Sequence, residues 1–378
     1  MRARLGSYRY SSWAPLGIVF ASVTVKIGTT ERYRAGKGSF DTHPELERIG
    51  CRPCRQTTIF RSKQIEKVVT TMKHLFIINP AAGSHDRTGD YTAKIGAAFS
   101  GRTDNYRIAV SSGPGDCTKI AREAAESGEE YRIYACGGDG TLNEVVQGAA
   151  GYDNVAVTVF SGGSGNDFAK VFDDPKAFFD IDRLLDAEET EFDLIQVNDD
   201  YALNICCVGL DARIGNDVSN YKRLPFLHGF AAYAASTVVN VVRGIAEHYV
   251  VEINGEVIDG EQTFVCICNG RYYGGGFNPV PESDPADGML DVLVVKKVSR
   301  LEVPLIIGKY KDGRYKELPK IAKHYRTDRV KIICDKVSAI NLDGEIRFTQ
   351  EADFRVSDKK LRFFYPKGLV WRKAPVKV

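Results

Sequence analysis

Residues 137–145 read GGDGTLNEV and directly follow the apolar run Tyr131–Cys136. The run has the length and composition of a buried strand, and Thr141–Gly148 has the apolar spacing of an amphipathic helix. A glycine-rich turn at such a junction lets backbone N–H groups approach an anion closely, and the helix adds the positive end of its dipole. The stretch therefore predicts a strand–turn–helix unit suited to binding phosphate.

The same alternation of strand and helix continues on both sides of this unit. Further strand-like runs are His74–Ile78, Tyr106–Val110 and Val155–Phe160, and helical patterns lie near Thr88–Phe99 and Asp116–Ser127. Alternation of this kind indicates a parallel sheet with helices on both faces, that is, a doubly wound α/β nucleotide-binding domain. Ligands of such domains bind at the carboxyl ends of the strands.

After a last helical pattern at Lys176–Ala187, strand patterns dominate the sequence. Asn254–Gly255 separates two strand-like runs and is a strong hairpin signal. We therefore expect an α/β domain at 72–191 and a β-sandwich-like antiparallel domain at 192–347. Residues 348–370 are expected to return to the first domain, and Phe226–Glu247 is the main helical candidate of the second.

The first 71 residues differ from the rest in charge and pattern. They hold 13 basic and 5 acidic residues and no sustained periodicity, so we expect a disordered extension or a segment outside the native fold. The whole chain carries a net charge of only +2, which argues against a nucleic-acid partner. Nine cysteines, several of them in apolar runs, indicate buried thiols and a cytoplasmic location.

Three glycine-rich turns follow predicted strands at the same edge of the sheet. They are NPAAG at 79–83, GGDGTLNE at 137–144 and SGGSGNDF at 161–168. Each alone is more typical of a plain turn. Together, with Asp139 and Asp167 embedded in them, they indicate a polyphosphate with a divalent cation.

These turns, combined with DPADGMLDV at 284–292 and NLDGE at 341–345, resemble the diacylglycerol kinase catalytic-domain family. Within it the likeness is to the bacterial soluble lipid kinases related to YegS and DgkB, over about residues 72–370. The resemblance implies ATP and Mg²⁺ as cofactors and Glu345 as the proton acceptor. Phosphoryl transfer also needs positioning and charge neutralisation, which the glycine-rich turns and a cation on Asp139 would provide. The resemblance also implies a structural Mg²⁺ at Asp284, Asp287 and Met289, held in part through backbone oxygens. It implies ATP at Asn79, Pro80, Ala81, Ala82, Gly83, Ser111, Gly137, Gly138, Asp139, Gly140, Thr141, Leu142, Asn143 and Ser164.

The resemblance thus predicts an ATP-dependent lipid kinase that phosphorylates the hydroxyl of diacylglycerol, or of a related lipid, and holds the acyl chains in its β-rich domain. Two alternatives remain open at this point. NAD kinases share GGDGT, and a non-catalytic nucleotide- or lipid-binding protein could keep the same fold. The residues alone also favour a plain hairpin turn at Asp343–Gly344, with Glu345 in solvent.

One basic segment suggests contact with a membrane surface. Residues 296–331 contain 12 basic and 4 acidic residues interleaved with apolar ones, as expected for a face that rests on anionic lipid. The alternative is a solvated face on ordinary helices. The sequence leaves a homodimer open, and the expected location is the cytoplasm with peripheral contact at the inner membrane face.

Overall fold

The computed structural model describes residues 72–83, 85–161, 166–222, 236, 239–241 and 244–371. The expectations for residues 1–71, for Ser164 and for most of Phe226–Glu247 lie outside this part of the chain. No helix among the described residues is both long and apolar enough to cross a bilayer.

A six-stranded sheet forms the first layer of the fold. Its strands lie in the order β2-β1-β3-β4-β15-β5, and the first four are parallel. Their bounds are β1 Lys73–Ile78, β2 Asn105–Val110, β3 Tyr131–Gly137, β4 Val155–Ser161, β5 Ala187–Phe192 and β15 Leu361–Pro366. The predicted doubly wound domain is therefore confirmed.

Three helices connect the first four strands. They are α1 Thr88–Ala98, α2 Asp116–Glu126 and α3 Asp139–Ala149, and α3 begins inside the GGDGT turn. Apolar residues of α3 pack into the same core as β1, β3 and β4, which are buried almost throughout. Because strands β1 and β3 are neighbours, the turns that follow them meet at one edge of the sheet.

The helical expectation for Lys176–Ala187 is only partly right. The segment divides into a 3₁₀ turn at Pro175–Phe179 and a short helix α4 at Ile181–Leu185, and β5 begins at Ala187. The division falls at Asp180, whose side chain accepts hydrogen bonds from the backbone N–H groups of Asp182 and Arg183. This N-cap starts a new helix and so interrupts the periodic pattern.

The second sheet has nine strands, and every strand pair in it is antiparallel. Eight strands follow the order β12-β11-β10-β8-β13-β14-β6-β7, and β9 pairs with β10 and β13. Their bounds are β6 Ile195–Val197, β7 Asp200–Ala202, β8 Ile205–Gly209, β9 Glu247–Ile253, β10 Glu256–Cys268, β11 Leu290–Lys296, β12 Ala322–Thr327, β13 Arg329–Leu342 and β14 Glu345–Val356. The expected antiparallel domain is confirmed.

This sheet buries apolar side chains on both faces. Along β10, Val265 and Ile267 enter one core, while Phe264, Cys266 and Cys268 enter the other. The second core also takes up residues of helix α5 at Leu210–Lys222 and helix α6 at Val303–Lys311. The seven described cysteines are free and buried, as expected for thiols that pack as small apolar side chains.

The chain returns to the first sheet later than position 348. Strand β14 runs to Val356 inside the second sheet, and only β15 joins the first, between β4 and β5. The hydrophobic pattern of 348–370 shows strands but not their partners.

A buried guanidinium connects segments that are distant in sequence. Arg271 Nε donates to the Ser283 carbonyl at 2.8 Å, and Nη2 donates to the Trp371 carbonyl at 2.7 Å. Nη1 lies 3.4 Å from the carbonyl of Val171, in the first domain. One side chain thus links the β-rich domain to the α/β domain and to the end of the described chain.

We expect Arg271→Met to lower the free energy of unfolding by about 2–4 kcal/mol, because two buried carbonyls and a partly buried one lose a charged donor. Urea denaturation measures this. Arg183→Met is the matched control, since its ion pair with Asp174 is exposed and contributes at most about 1 kcal/mol. Equal losses in the two variants would contradict the role given to Arg271.

Candidate functional site

The side chain of Asn79 connects the NPAAG and GGDGT turns of the α/β domain. Its Nδ2 donates to Thr141 Oγ1 at 3.2 Å, and its Oδ1 accepts from the backbone N–H of Ala81 at 3.0 Å. The backbone N–H of Asn79 donates to the Cys136 carbonyl at 3.2 Å. The NPAAG and GGDGT turns therefore form one connected surface.

Close packing at Gly137 explains the first glycine of GGDGT. A Cβ at this position would lie 2.3 Å from Thr141 Oγ1 and 3.2 Å from the Cβ of Ala82. Gly138 is different, because a Cβ there would meet nothing within 4 Å. The glycine at 137 is needed for packing of the turn itself, whereas 138 leaves open space above the N-terminus of α3.

The remaining residues expected at ATP surround the same edge. Thr141, Leu142 and Asn143 are buried in the first turns of α3, and Ser111 is buried directly after β2. The Ser111 N–H donates to the Ile78 carbonyl at 2.8 Å, which sets it beside the NPAAG turn. The structure thus gathers the three expected groups of residues, namely Asn79, Pro80, Ala81, Ala82 and Gly83, then Ser111, then Gly137 to Asn143.

Two acidic residues meet at this edge. Asp139 Oδ1 accepts a hydrogen bond from the backbone N–H of Asp167 at 2.6 Å. Burial, and then the charge of Asp167, raise the pKa of Asp139 to about 6. A buried carboxylate beside a like charge is costly to ionise, and a cation at this position would relieve that cost.

Asp167 makes two contacts that the sequence does not predict. Its Oδ1 accepts from Lys170 Nζ at 2.5 Å, and its Oδ2 accepts from the backbone N–H of Gly275 at 2.7 Å. Gly275 lies in YYGGGF at 272–277, where all three glycines have positive φ. This glycine run was a signal available in the sequence, and it marks the loop of the β-rich domain that touches the site.

The NLDGE motif forms a two-residue hairpin between β13 and β14. Leu342 pairs with Glu345, and Asp343 and Gly344 have φ of 51° and 99°. Positive φ at both central positions defines the tight hairpin turn that Asp-Gly favours. The plain hairpin expected from the residues alone is therefore present.

Asp343 is more than a turn residue, because its carboxylate holds the start of β8. It accepts from the backbone N–H groups of Leu203 at 2.6 Å, Asn204 at 3.1 Å and Ile205 at 2.8 Å. Burial raises the pKa of Asp343, and these three donors oppose the effect. The hairpin is thereby fixed to a neighbouring strand rather than projecting into solvent.

Glu345 lies next to the GGDGT turn. A Cβ built on Gly140 would lie 3.7 Å from Glu345 Oε1. The side chain is only partly exposed. The structure therefore brings the acid from NLDGE, 205 positions beyond Gly140 in the chain, to the GGDGT turn.

The residues expected to hold Mg²⁺ are arranged differently from a metal cage. Asp287 Oδ2 accepts from Arg326 Nη2 at 2.6 Å, and Oδ1 accepts from the Met289 N–H at 3.0 Å. Asp284 Oδ1 accepts from the N–H of Ala286 at 3.1 Å. Across the described ranges, no group of three or more His, Cys, Asp or Glu side chains could hold a metal ion. The guanidinium of Arg326 compensates the charge of Asp287 in this structure, and Mg²⁺ at Asp284, Asp287 and Met289 stays a prediction.

Family comparisons match both domains. The family described as diacylglycerol kinase catalytic domain matches residues 73–197, and the one described as YegS C-terminal NAD kinase beta sandwich-like domain matches residues 204–365. The Staphylococcus carnosus protein named "Putative lipid kinase" is 27% identical over 268 residues, covering 69% of this chain and 87% of that protein. The Staphylococcus aureus "Putative lipid kinase SAR0780" is 26% identical, covering 70% and 87%.

Solved structures share the fold. A crystal structure described as a diacylglycerol kinase from Bacillus anthracis aligns with a TM-score of 0.57 at 22% identity. A second Bacillus anthracis structure aligns with a TM-score of 0.61 at 24% identity. Each alignment covers 79% of this chain and 98% of the neighbour, so the two-domain architecture is common to all three.

The two neighbouring glycines of GGDGT should differ in their response to a methyl group. We expect Gly137→Ala to lower the free energy of unfolding by about 1–3 kcal/mol, because its Cβ would overlap Thr141. Gly138→Ala should stay within about 0.5 kcal/mol of the parent. Urea titrations of both variants check this, and a similar loss at both positions would contradict the packing described.

The raised pKa of Asp139 predicts a pH-dependent cost. The unfolded carboxyl ionises near pH 3.9, whereas the folded one ionises near 6, so ionisation opposes folding increasingly from about pH 4 to 6 and fully above it. Asp139→Asn removes this cost and keeps an oxygen that accepts from Asp167. Without ligands, its Tm should exceed that of the parent at pH 7.5 and equal it at pH 4.

The exposed Asp199→Asn is the control for this experiment, and its Tm should follow the parent at both pH values. A gain for Asp139→Asn that is the same at pH 4 and pH 7.5, or no gain at all, would show that Asp139 ionises without penalty.

Proposed function

Because this chain belongs to the diacylglycerol kinase catalytic-domain family, we propose that it transfers the γ-phosphoryl group of ATP to the hydroxyl of a lipid. Diacylglycerol, which would become phosphatidic acid, is the acceptor we favour. It carries one primary hydroxyl, and a single positioned base is sufficient to activate it. Both domain matches and the lipid kinase names of the relatives support this class of reaction.

The observation that carries the proposal is the approach of Glu345 to the GGDGT turn. The NPAAG and GGDGT turns supply backbone N–H groups and a helix N-terminus, which suit the phosphates of ATP. Gly140 belongs to the GGDGT turn, and a Cβ built on it would lie 3.7 Å from Glu345 Oε1. A base beside a phosphate-binding turn is the arrangement that phosphoryl transfer to an alcohol requires.

In the proposed reaction, Glu345 accepts the proton of the lipid hydroxyl as the oxygen attacks the γ-phosphorus. The bond from this phosphorus to the oxygen of the β-phosphate breaks, and ADP leaves. Asp343 acts as a positioning residue, because it fixes the hairpin that carries Glu345. Mg²⁺ accompanying ATP would neutralise phosphate charge when bound, and Asp139 is the acidic residue that we assign to it.

The acceptor is proposed to approach from the β-rich domain. Its YYGGGF loop reaches the site through the hydrogen bond from Gly275 to Asp167.

The seven described thiols are buried and unpaired, which suits a reducing compartment, so we place the reaction in the cytoplasm.

Glu345→Gln should reduce turnover by at least about 100-fold, because the amide cannot accept the proton. ATP affinity should change less than about threefold, since the turns that would hold ATP are untouched. Radiolabelled phosphate transfer to diacylglycerol in detergent gives the rate, and a fluorescent ATP analogue gives the affinity. Glu351→Gln is the matched control, because Glu351 lies on the same strand, is exposed and pairs with Lys331.

The same assay is run with NAD in place of the lipid. Phosphorylation of NAD but not of diacylglycerol by the parent protein would refute the lipid acceptor. Full activity of Glu345→Gln on diacylglycerol would refute the base while leaving the kinase class intact.

A further inference from the structure

The second domain carries an apolar stripe that no described part of the chain covers. Helix α6 buries Val303, Ile306 and Tyr310 against the core of the β-rich domain. The opposite side of the helix presents Pro304, Leu305 and Gly308 to solvent, and Leu301, in the turn two residues before the helix begins, is exposed as well. Leu301 is 93% exposed and Leu305 is 61% exposed.

Basic residues surround this stripe. Residues 296–320 contain eight basic and three acidic side chains. Two acidic residues from outside the segment also lie here, because Glu261 pairs with Lys297 and Glu282 pairs with Lys316. Glu317 serves both Lys309 and Arg314, so the eight basic side chains still outnumber the five acidic ones. The surface around the leucines therefore remains cationic.

We propose that Leu301 and Leu305, together with the surrounding cations, dock this face of α6 on an anionic bilayer surface. Exposed leucines can enter the boundary between headgroups and acyl chains, while lysine and arginine side chains stay at the headgroups. This inference rests on the proposed function, since it names the surface from which the lipid acceptor is taken. The sequence pattern assigns membrane contact to the whole basic segment 296–331, whereas this proposal assigns it to α6 and the residues beside it.

A second copy of the chain is the less suitable occupant. In a two-fold interface the same patch faces itself, so these cations would oppose one another. An anionic lipid surface satisfies the charge and the apolar stripe at once.

Contacts connect this helix to the reaction site. Tyr310 of α6 and Tyr273 of the YYGGGF loop share a hydrogen bond of 2.8 Å between their hydroxyls. Two residues further on, Gly275 donates to Asp167, which in turn donates to Asp139. The proposed docking helix is thus packed on the loop that borders the candidate site.

The test uses sedimentation of the full chain with sucrose-loaded vesicles, without ATP. The vesicles contain phosphatidylcholine with 30% phosphatidylglycerol, or phosphatidylcholine alone. The parent should bind the anionic vesicles at least tenfold more strongly than the neutral ones. The double variant Leu301→Asp, Leu305→Asp should lose at least tenfold in partitioning to anionic vesicles.

Val257→Asp is the matched control, because Val257 is 63% exposed but lies on the β9–β10 hairpin. It should change partitioning less than twofold. Replacing exposed leucines also preserves the ion pairs of Lys309, Arg314 and Lys316, which charge reversal would break. The fold of each variant is checked by its Tm.

Equal vesicle binding by the parent and the double variant would overturn the proposal. Failure of the parent protein to bind anionic vesicles would also overturn it. If the double variant changes only the oligomeric mass measured by sedimentation equilibrium, and not vesicle binding, the stripe binds a second copy of the chain instead. Turnover of a short-chain, water-soluble diacylglycerol should be the same in all variants. Vesicle binding without any such turnover in the parent would refute the kinase proposal and leave the docking surface intact.

Discussion

The carboxylate of Asp343 determines where Glu345, the proposed base, lies. Removing a carboxylate from water is costly unless hydrogen-bond donors replace the lost hydration, and three successive backbone N–H groups of Leu203, Asn204 and Ile205 do so. These donors lie at the start of β8, so the β13–β14 hairpin is fixed in one position. Glu345 follows two residues later, which gives its approach to Gly140 a structural cause.

The opposite side of the site depends on Asp167. Its carboxylate receives a backbone N–H from the β-rich domain and an ammonium from Lys170, while its own N–H supports Asp139. Asp167 therefore links the GGDGT turn to the YYGGGF loop, which borders the proposed acceptor. The unfavourable proximity of two acidic groups in a partly buried place is typical of sites that bind cations or protons.

Local patterns in the sequence predicted the units of this fold but not all their contacts. The strand–turn–helix at 131–148 and the hairpin at 342–345 follow from residues adjacent in the chain, so their patterns were sufficient. Asp343 and Leu203 are 140 residues apart, and Arg271 reaches Val171 across 100, so neither contact leaves a periodic trace. The ion pair between Arg326 and Asp287 likewise joins residues 39 positions apart, so the sequence pattern does not predict it.

The most direct test of this account is a crystal structure with a non-hydrolysable ATP analogue and a short-chain diacylglycerol. The γ-phosphate should lie over the GGDGT turn, with the acceptor hydroxyl within about 2.6–3.2 Å of a Glu345 carboxylate oxygen. A nucleotide bound elsewhere, or a Glu345 that remains far from the hydroxyl while both ligands are bound, would contradict the convergence on which the proposed reaction depends.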